Sequence, residues 1–424
     1  MMMKRTIDQE ARVGTSGWLR PAIAVAAIGW GANQFAPLIV MYQQHGLSVA
    51  ATQVMFALYA VGLVPALLVG GRWSDRAGRR VVVMTALLLS LAASVVLMTG
   101  SAWHGLLFPG RLLAGVSSGL AFGTGAAWIR ELSALDAHHT AGPRRATVAM
   151  TIGFGGGPLA AGLVAQHLSR PELWPYVPQI ALAALALLSV GKAGDSSGSA
   201  GAATVAGSTA RDASLRKHLL LVSAPFAPWV FGTAAVALAY LPALVADRAG
   251  SQPLAFAAVA TAIPAFAGVL VQPLVARLRP GGRLGLLQPA MIVAVLALIV
   301  AAWAASAATV WAVLVAAAVL GAAYGVTQFA GLADVQRVAD PSRLGLATSA
   351  YQALSYLGFA LPYLLTLGHT HLGWSPVTGL GAVAILAVAS LLWLTLHGRL
   401  ARRAAHCPAN EAAPSAPVSC SAPA

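Results

Sequence analysis

Long apolar runs separated by short polar stretches divide this chain from end to end. A helix needs about 20 apolar residues to cross roughly 30 Å of hydrocarbon. Twelve stretches qualify: 20–42, 50–71, 80–100, 104–129, 146–168, 174–191, 218–246, 254–276, 284–306, 309–333, 344–368 and 374–397. Trp18, Trp73, Trp103, Trp174, Trp303, Trp311 and Trp374 fall at their ends, where indole rings favour the membrane–water boundary. The pattern predicts an all-α membrane protein with 12 transmembrane helices. One segment breaks it: residues 192–217 are rich in Gly, Ser, Ala and Thr, the composition of a flexible linker. Six runs lie on either side. The expected organisation is an N-terminal six-helix bundle (1–191), a cytoplasmic linker (192–217), a C-terminal six-helix bundle (218–398) and a disordered Ala/Pro/Ser-rich tail (399–424).

Composition agrees. Hydrophobic residues make up 58% and charged residues 9%, and mean hydropathy is +0.76; a soluble globular domain carries about 25% charged residues. The net charge of +14 forms no continuous basic patch, so nucleic acid is not an expected partner. Instead the basic residues sort by side. With the N-terminus in the cytoplasm, 23 Lys/Arg fall in inside segments, Arg170 and Arg248 fall outside, and Arg111 lies within a span. The positive-inside rule therefore places both termini in the cytoplasm. The first run is longer than the 7–15 apolar residues of a cleaved signal peptide and is kept as the first helix. Cys407 and Cys420 both lie in the tail and form no disulfide framework.

Between the second and third runs stands Gly71-Arg72-Trp73-Ser74-Asp75-Arg76-Ala77-Gly78-Arg79-Arg80. Four arginines inside hydrocarbon would be prohibitively costly, so the segment is expected to be a tight polar hairpin at a membrane surface. Its spacing, G-x-x-x-D-R-x-G-R-R, resembles the signature loop of the major facilitator superfamily at every defining position. That resemblance implies two pseudo-symmetric six-helix bundles, each of inverted three-helix repeats, alternating access about a midplane site, and a loop on the cytoplasmic side. It also implies that Asp75 faces the N-terminus of the eleventh helix, here Asp340-Pro341-Ser342-Arg343, and holds that side shut. A carboxylate there contributes about 0.3–1 kcal/mol, suited to a latch that opens every cycle. Gly71 and Gly78 are expected to allow close backbone approach. Glu131, level with the loop, is expected to pair with Arg76 or Arg79, or else to stand solvated beside Arg130. Gly119–Glu131 and Gly321–Asp334 carry similar spacings, a trace of internal symmetry. The second half's counterpart loop, 271–283, has lost its acid.

Arg111 is the one charge well inside a span, and intramembrane arginines normally face a cavity and mark a pathway. Gly115, Gly119 and Gly123 follow it at intervals of four, a groove for a neighbouring helix. Arg-Leu-Leu-Ala-Gly (111–115) resembles the fourth-helix motif of drug and metabolite antiporters. Asn33, with Gln34 beside it, lies near the same depth, either lining a cavity with Arg111 or bonding between helices. The fifth run contains Gly153, Gly157, Pro158 and Gly162. This resembles the antiporter Gly-Pro motif, with its last glycine one place late, and Pro158 is expected to kink the helix. Trp229, Tyr324, Gln328, Tyr351 and Gln352 are polar-aromatic candidates for the second half's cavity wall.

Other patterns lack context. Gly115–Gly119 satisfies G-x-S-x-G, but a nucleophile elbow needs a strand–turn–helix. Gly379–Ala384 mimics a dinucleotide fingerprint without a preceding strand. His138-His139, and His369 with His371, lack partners at metal-site spacing. No enzyme activity, cofactor or metal is expected. The expected function is secondary active transport of a small organic molecule, by proton-coupled export from a bacterial inner membrane, as a monomer. No acid sits near the centre of any span, so the proton's candidates are Asp75, Glu131, Asp247 and Asp334. Two alternatives stay open: a carrier or exchanger of anionic metabolites using Arg111, and a non-transporting membrane sensor. The sensor lacks any loop of 30 residues or more to form a soluble domain.

Overall fold

The computed structural model describes residues 17–100, 102–134, 142–191, 209–278, 285–340 and 344–406. Among them, eleven helices are long and apolar enough to cross a membrane: α1 (Leu19–Gln44), α2 (Val49–Ala77), α3 (Arg79–Thr99), α4 (His104–Ser133), α5 (Arg144–His167), α6 (Trp174–Gly191), α7 (Ala213–Ala249), α8 (Pro253–Arg277), α9 (Leu287–Ala307), α10 (Val310–Val338) and α12 (Pro376–Gly398). The remaining apolar run forms a broken helix, α11: Leu344–Tyr356, a tight turn at Leu357–Ala360, and Leu361–Leu372. The chain is thus an all-α, multi-pass membrane protein with two six-helix halves. Large aliphatic and aromatic side chains such as Leu185, Ile385 and Trp311 stand exposed along the spans, the face such helices present to lipid.

Three boundaries differ from the sequence reading. The segment 71–80 is not a polar hairpin: α2 stays helical through Ala77, Gly78 alone leaves the helix at φ +89°, and α3 begins at Arg79. Continuing the helix satisfies backbone N–H and C=O groups as the chain leaves hydrocarbon. The stretch read as linker to 217 is helical from Thr209 onward, while 192–208 lie outside the described residues. The last helix runs on to His406, past the expected end at 398; Ala, Leu and Arg in 399–406 are strong helix formers. Cys407, Cys420 and the rest of the tail lie outside the described residues, as do His138 and His139.

Several spans are interrupted where the site lies. α1 breaks between Asn33 and Phe35. α7 contains two π-helical turns, Leu219–Ser223 and Val236–Tyr240. Side chains cap the heads of α2 and α10: Ser48 Oγ accepts from Ala51 N–H at the start of α2, and Thr309 Oγ1 from Ala312 N–H at the start of α10.

Within the first half α2 packs on α4 and α1 on α5; in the second, α8 packs on α10 and α9 on both α10 and α12. Across the halves, α5 meets α8 and α2 meets α11. The far part of α1 (Phe35–Gln44) meets α8 and the Val236–Val245 part of α7. Alternation of the spans puts those parts of α1 and α7 at the face opposite the arginine-rich turn.

Candidate functional site

At the arginine-rich face, Arg79 gathers three groups. It donates to Asp75 Oδ1 at 2.9 Å, to Ser74 Oγ at 2.7 Å and, through Nε, to Glu131 Oε1 at 3.2 Å. The helical continuation of α2 places Ser74 and Asp75 on the turn that Arg79 reaches back to, and α4 brings Glu131 from the side. Arg80 donates to the Gly191 carbonyl and ties the start of α3 to the end of α6. Arg76 is exposed. Asp75 is 63% exposed, and among the described residues its partner is Arg79; positions 341–343 at the head of α11 lie outside them. Gly71 has no heavy atom within reach of an added Cβ, and Gly78 likewise faces open space. Among the described residues neither makes the close approach expected of it; Gly78 is required by its positive φ.

Arg111 is 1% exposed and sits inside the first half. Its guanidinium donates to the Ala32 carbonyl at 3.1 Å and the Met55 carbonyl at 3.3 Å. Phe35 and Tyr59 hold it at 4.7 and 4.9 Å from their ring centroids, a cation–π cage. The break in α1 supplies the Ala32 carbonyl. In this conformation Arg111 therefore does not line open space, contrary to the sequence reading. Gln34 is also fully buried, with neither amide atom partnered. Tyr351 is another correction: it is fully buried, its hydroxyl packed against Gly331 and 3.5 Å from the Thr327 carbonyl.

A seam of six rings spans the two halves. Phe56 of α2 stacks on Phe359 of α11 at 5.0 Å, with Tyr59 at 5.9 Å from the same ring. Phe359 then meets Phe231 of α7 at 5.3 Å and Tyr356 at 5.6 Å, and Phe231 stacks on Tyr356 at 4.2 Å and reaches Tyr324 of α10 at 5.5 Å. One helical turn towards the arginine-rich face lie half-buried polar groups. From α1 come Trp30, whose ring lies against Gly156 of α5, and Asn33. From the second half come Trp229, Gln328 and Gln352, the two glutamines bonded to each other at 3.3 Å. Trp229 Nε1 already donates to the Pro225 carbonyl at 3.0 Å, so what this region can offer a small organic molecule is aromatic faces for stacking and the amides of Asn33, Gln328 and Gln352 for hydrogen bonds. Among the described residues, no group of three or more Asp, Glu, His or Cys is placed to hold a metal ion. His369 Nδ1 instead bonds the Trp374 carbonyl at 2.7 Å.

The glycines set how closely these walls approach. A Cβ at Gly115 or Gly119 would overlap the Tyr59 or Leu63 carbonyl of α2, and one at Gly153 or Gly157 the Ala26 or Trp30 carbonyl of α1. Gly162 packs on Leu254 and Ala258 of α8, whereas Gly123 makes only an ordinary contact with Leu67. Pro158 lies inside the uninterrupted helix of α5. The sequence reading named Tyr324 but missed the other five rings of the seam, because single Phe and Tyr residues in apolar runs carry no periodic signal. It also missed the roles of Gln53 and Gln166. Gln53, an uncharged amide in a long apolar segment, was visible by the criterion that singled out Asn33.

The sequence profile of the Major Facilitator Superfamily matches residues 21–362. Against curated protein sequences the chain finds no match. Among solved structures it is similar to a peptide transporter, POT (TM-score 0.72, 14% identity, covering 91% of this chain and 95% of that one). It is also similar to the nucleoside transporter NupG (0.65, 12%, 90% and 99%) and to a D-xylose-proton symporter (0.64, 17%, 89% and 96%). With twelve spans in two halves, the signature segment between the second and third, and a profile match over most of its length, the chain belongs to the Major Facilitator Superfamily.

Proposed function

We propose that this protein exports a small organic molecule across a bacterial inner membrane, driven by protons moving the other way, with both termini and the arginine-rich turn in the cytoplasm. The observation that carries the reading is the asymmetry between its two faces. The halves are sealed by the ring seam and by α1–α7 contacts away from the arginine-rich turn, while Asp75 and Gly71 stand clear at that turn. Such a conformation receives cargo from the arginine-rich side, which the distribution of Lys and Arg assigns to the cytoplasm. The Gly-Pro run of α5 and the Arg111 motif, by resemblance to antiporters, support export. A proton crossing about 150 mV supplies about 3.5 kcal/mol, equivalent to a few-hundred-fold gradient.

Of the four candidate acids, Asp334 alone is buried, bonded to His218 Nε2 at 2.7 Å and Arg337 at 2.6 Å. The structural neighbours are named for a peptide, a nucleoside and a sugar carried with a proton, which supports a small organic cargo. The anion-carrier alternative needs a cation facing the cargo, and the cage around Arg111 weighs against it. Screening labelled compounds in inverted vesicles, with and without a pH gradient, tests the proposal. Gradient-dependent accumulation that dissipating the gradient abolishes is expected, and accumulation indifferent to the gradient rejects proton coupling. Arg111→Ala separates the alternative, since losing transport of acids alone would favour anion exchange.

A further inference from the structure

The closed face is held by two glutamines that reach from one half into the backbone of the other. Gln166, one residue from the end of α5, places its amide over the head of α8. Its Oε1 accepts from Leu254 N–H at 3.0 Å and Ala255 N–H at 3.3 Å, and its Nε2 donates to the Ser251 carbonyl at 3.0 Å. The first N–H groups of a helix have no partner within it, and Gln252, at the cap position of α8, makes no side-chain capping bond. The cap is therefore supplied by the opposite bundle. Gln53, in the first turns of α2, is buried, and its Nε2 donates to the Ala239 carbonyl of α7 at 3.2 Å. Ala239 lies in the π-helical turn Val236–Tyr240, a local departure from α-helix of the kind found at functional positions.

We infer that Gln166 and Gln53 are the latch that keeps the face opposite the arginine-rich turn shut, with Gln166 the principal member. The inference rests on the proposed alternation between two faces and names residues that set its equilibrium. Its chemistry mirrors the one implied for Asp75: a side chain of the first half satisfying the orphan N–H groups at the head of a second-half helix. At the far face a neutral amide does this instead of a carboxylate. To open that face, α8 must leave Gln166, exposing its first N–H groups, and α7 must leave Gln53. The rings of the seam separate in the same movement. Gln166 acts through the position of α8 and touches no cargo in this arrangement, so it is a positioning residue.

Pulsed electron paramagnetic resonance in lipid nanodiscs tests the latch without substrate. Spin labels go on Gln44→Cys and Asp247→Cys, exposed positions at the far ends of α1 and α7, in a chain with Cys407→Ser and Cys420→Ser. The parent is expected to show mainly the short distance. Gln166→Leu, which keeps bulk but loses all three bonds, is expected to raise the ratio of long to short distance about tenfold or more. Gln166→Glu keeps both acceptor contacts and adds charge at a helix N-terminus, so it should retain the short distance. Gln53→Leu, losing one bond, is expected to shift the ratio by about three- to tenfold. A purely space-filling role would leave Gln166→Leu like the parent and make Gln166→Glu the damaging change; either result overturns the inference. If Gln166→Leu fails to fold, an unchanged ratio in Gln53→Leu together with opening in Gln166→Glu also overturns it. Because the distances are read without cargo, a responding latch in the labelled chain together with no transport by the unsubstituted protein would sink the proposed function and leave the latch standing.

Discussion

The two halves of the molecule share a crossing and differ in their charges. In the first, Gly115 and Gly119 of α4 lie against the backbone of α2 at Tyr59 and Leu63; in the second, Gly321 and Gly325 of α10 lie against α8 at Pro264 and Gly268. Both crossings use small residues four apart, facing backbone positions four apart. Carried along the helices, that register sets Glu131 opposite Arg337, so the pairing of Gly119–Glu131 with Gly321–Asp334 suggested by sequence is out of step. The charged clusters at these ends are reversed as well. The first is built around a cation: Arg79 between Asp75, Glu131 and Ser74, largely in reach of water. The second is built around an anion: Asp334, 7% exposed, between His218 of α7 and Arg337. A solvated cluster contributes little to stability and is easily rearranged, as a gate requires, whereas a buried carboxylate fastens one helix to another. The crossing is common to both halves, and the ends differ: one is solvated around a cation, the other buried around an anion.

The strongest test of the shared crossing is steric. Gly115→Val and Gly325→Val should each cost about 3 kcal/mol through overpacking, seen as comparable losses of folded protein and melting temperature in detergent; damage in one half alone would break the equivalence. Asp334→Ala strips a buried carboxylate from its two partners and is expected to cost about 3 kcal/mol. By the same measurement Glu131→Gln should change stability by no more than about 1 kcal/mol. Equal losses would mean that both clusters are structural. Asp75→Asn should leave the melting temperature nearly unchanged yet alter initial transport rates about two- to fivefold, the population shift equivalent to 0.3–1 kcal/mol at a helix end. Gly71→Ala sharpens the contrast at the smallest scale. Its stability should stay within about 0.5 kcal/mol, and slowed turnover would place that position against α11 in the opposite conformation.

Much of this architecture was legible in the amino-acid sequence, because lipid imposes a simple length criterion on each span and a charge bias on each turn. The twelve runs and their order follow from those two constraints. The glycines of α4 and α5 were legible too, since repeated small residues in an apolar run have few uses besides helix contact. The site was less so. Arg111 reads as a pathway charge in sequence, but its cage depends on a break in α1 at Asn33–Phe35 and on two rings from different helices, relations set only by packing. The helical course of 71–77 was hidden by its polarity, which marks the membrane boundary and not the end of a helix. Gln166 was passed over because a glutamine near a helix end looks like ordinary surface, and its partner is about ninety residues further along the chain.

The break in α11 carries a consequence of its own. Leu357–Ala360 forms a tight turn inside the span, Gly358 is pressed against the backbone of α7 at Pro228 and Gly232, and Phe359 stands next to it as the ring shared by both halves. The closest backbone approach and the ring shared by both halves thus fall on adjacent residues. In the proposed alternation of faces, a swing of the Leu361–Leu372 segment about that joint would part Phe359 from Phe56 as α8 leaves Gln166, so unstacking at the midplane and opening of the far face would be one movement.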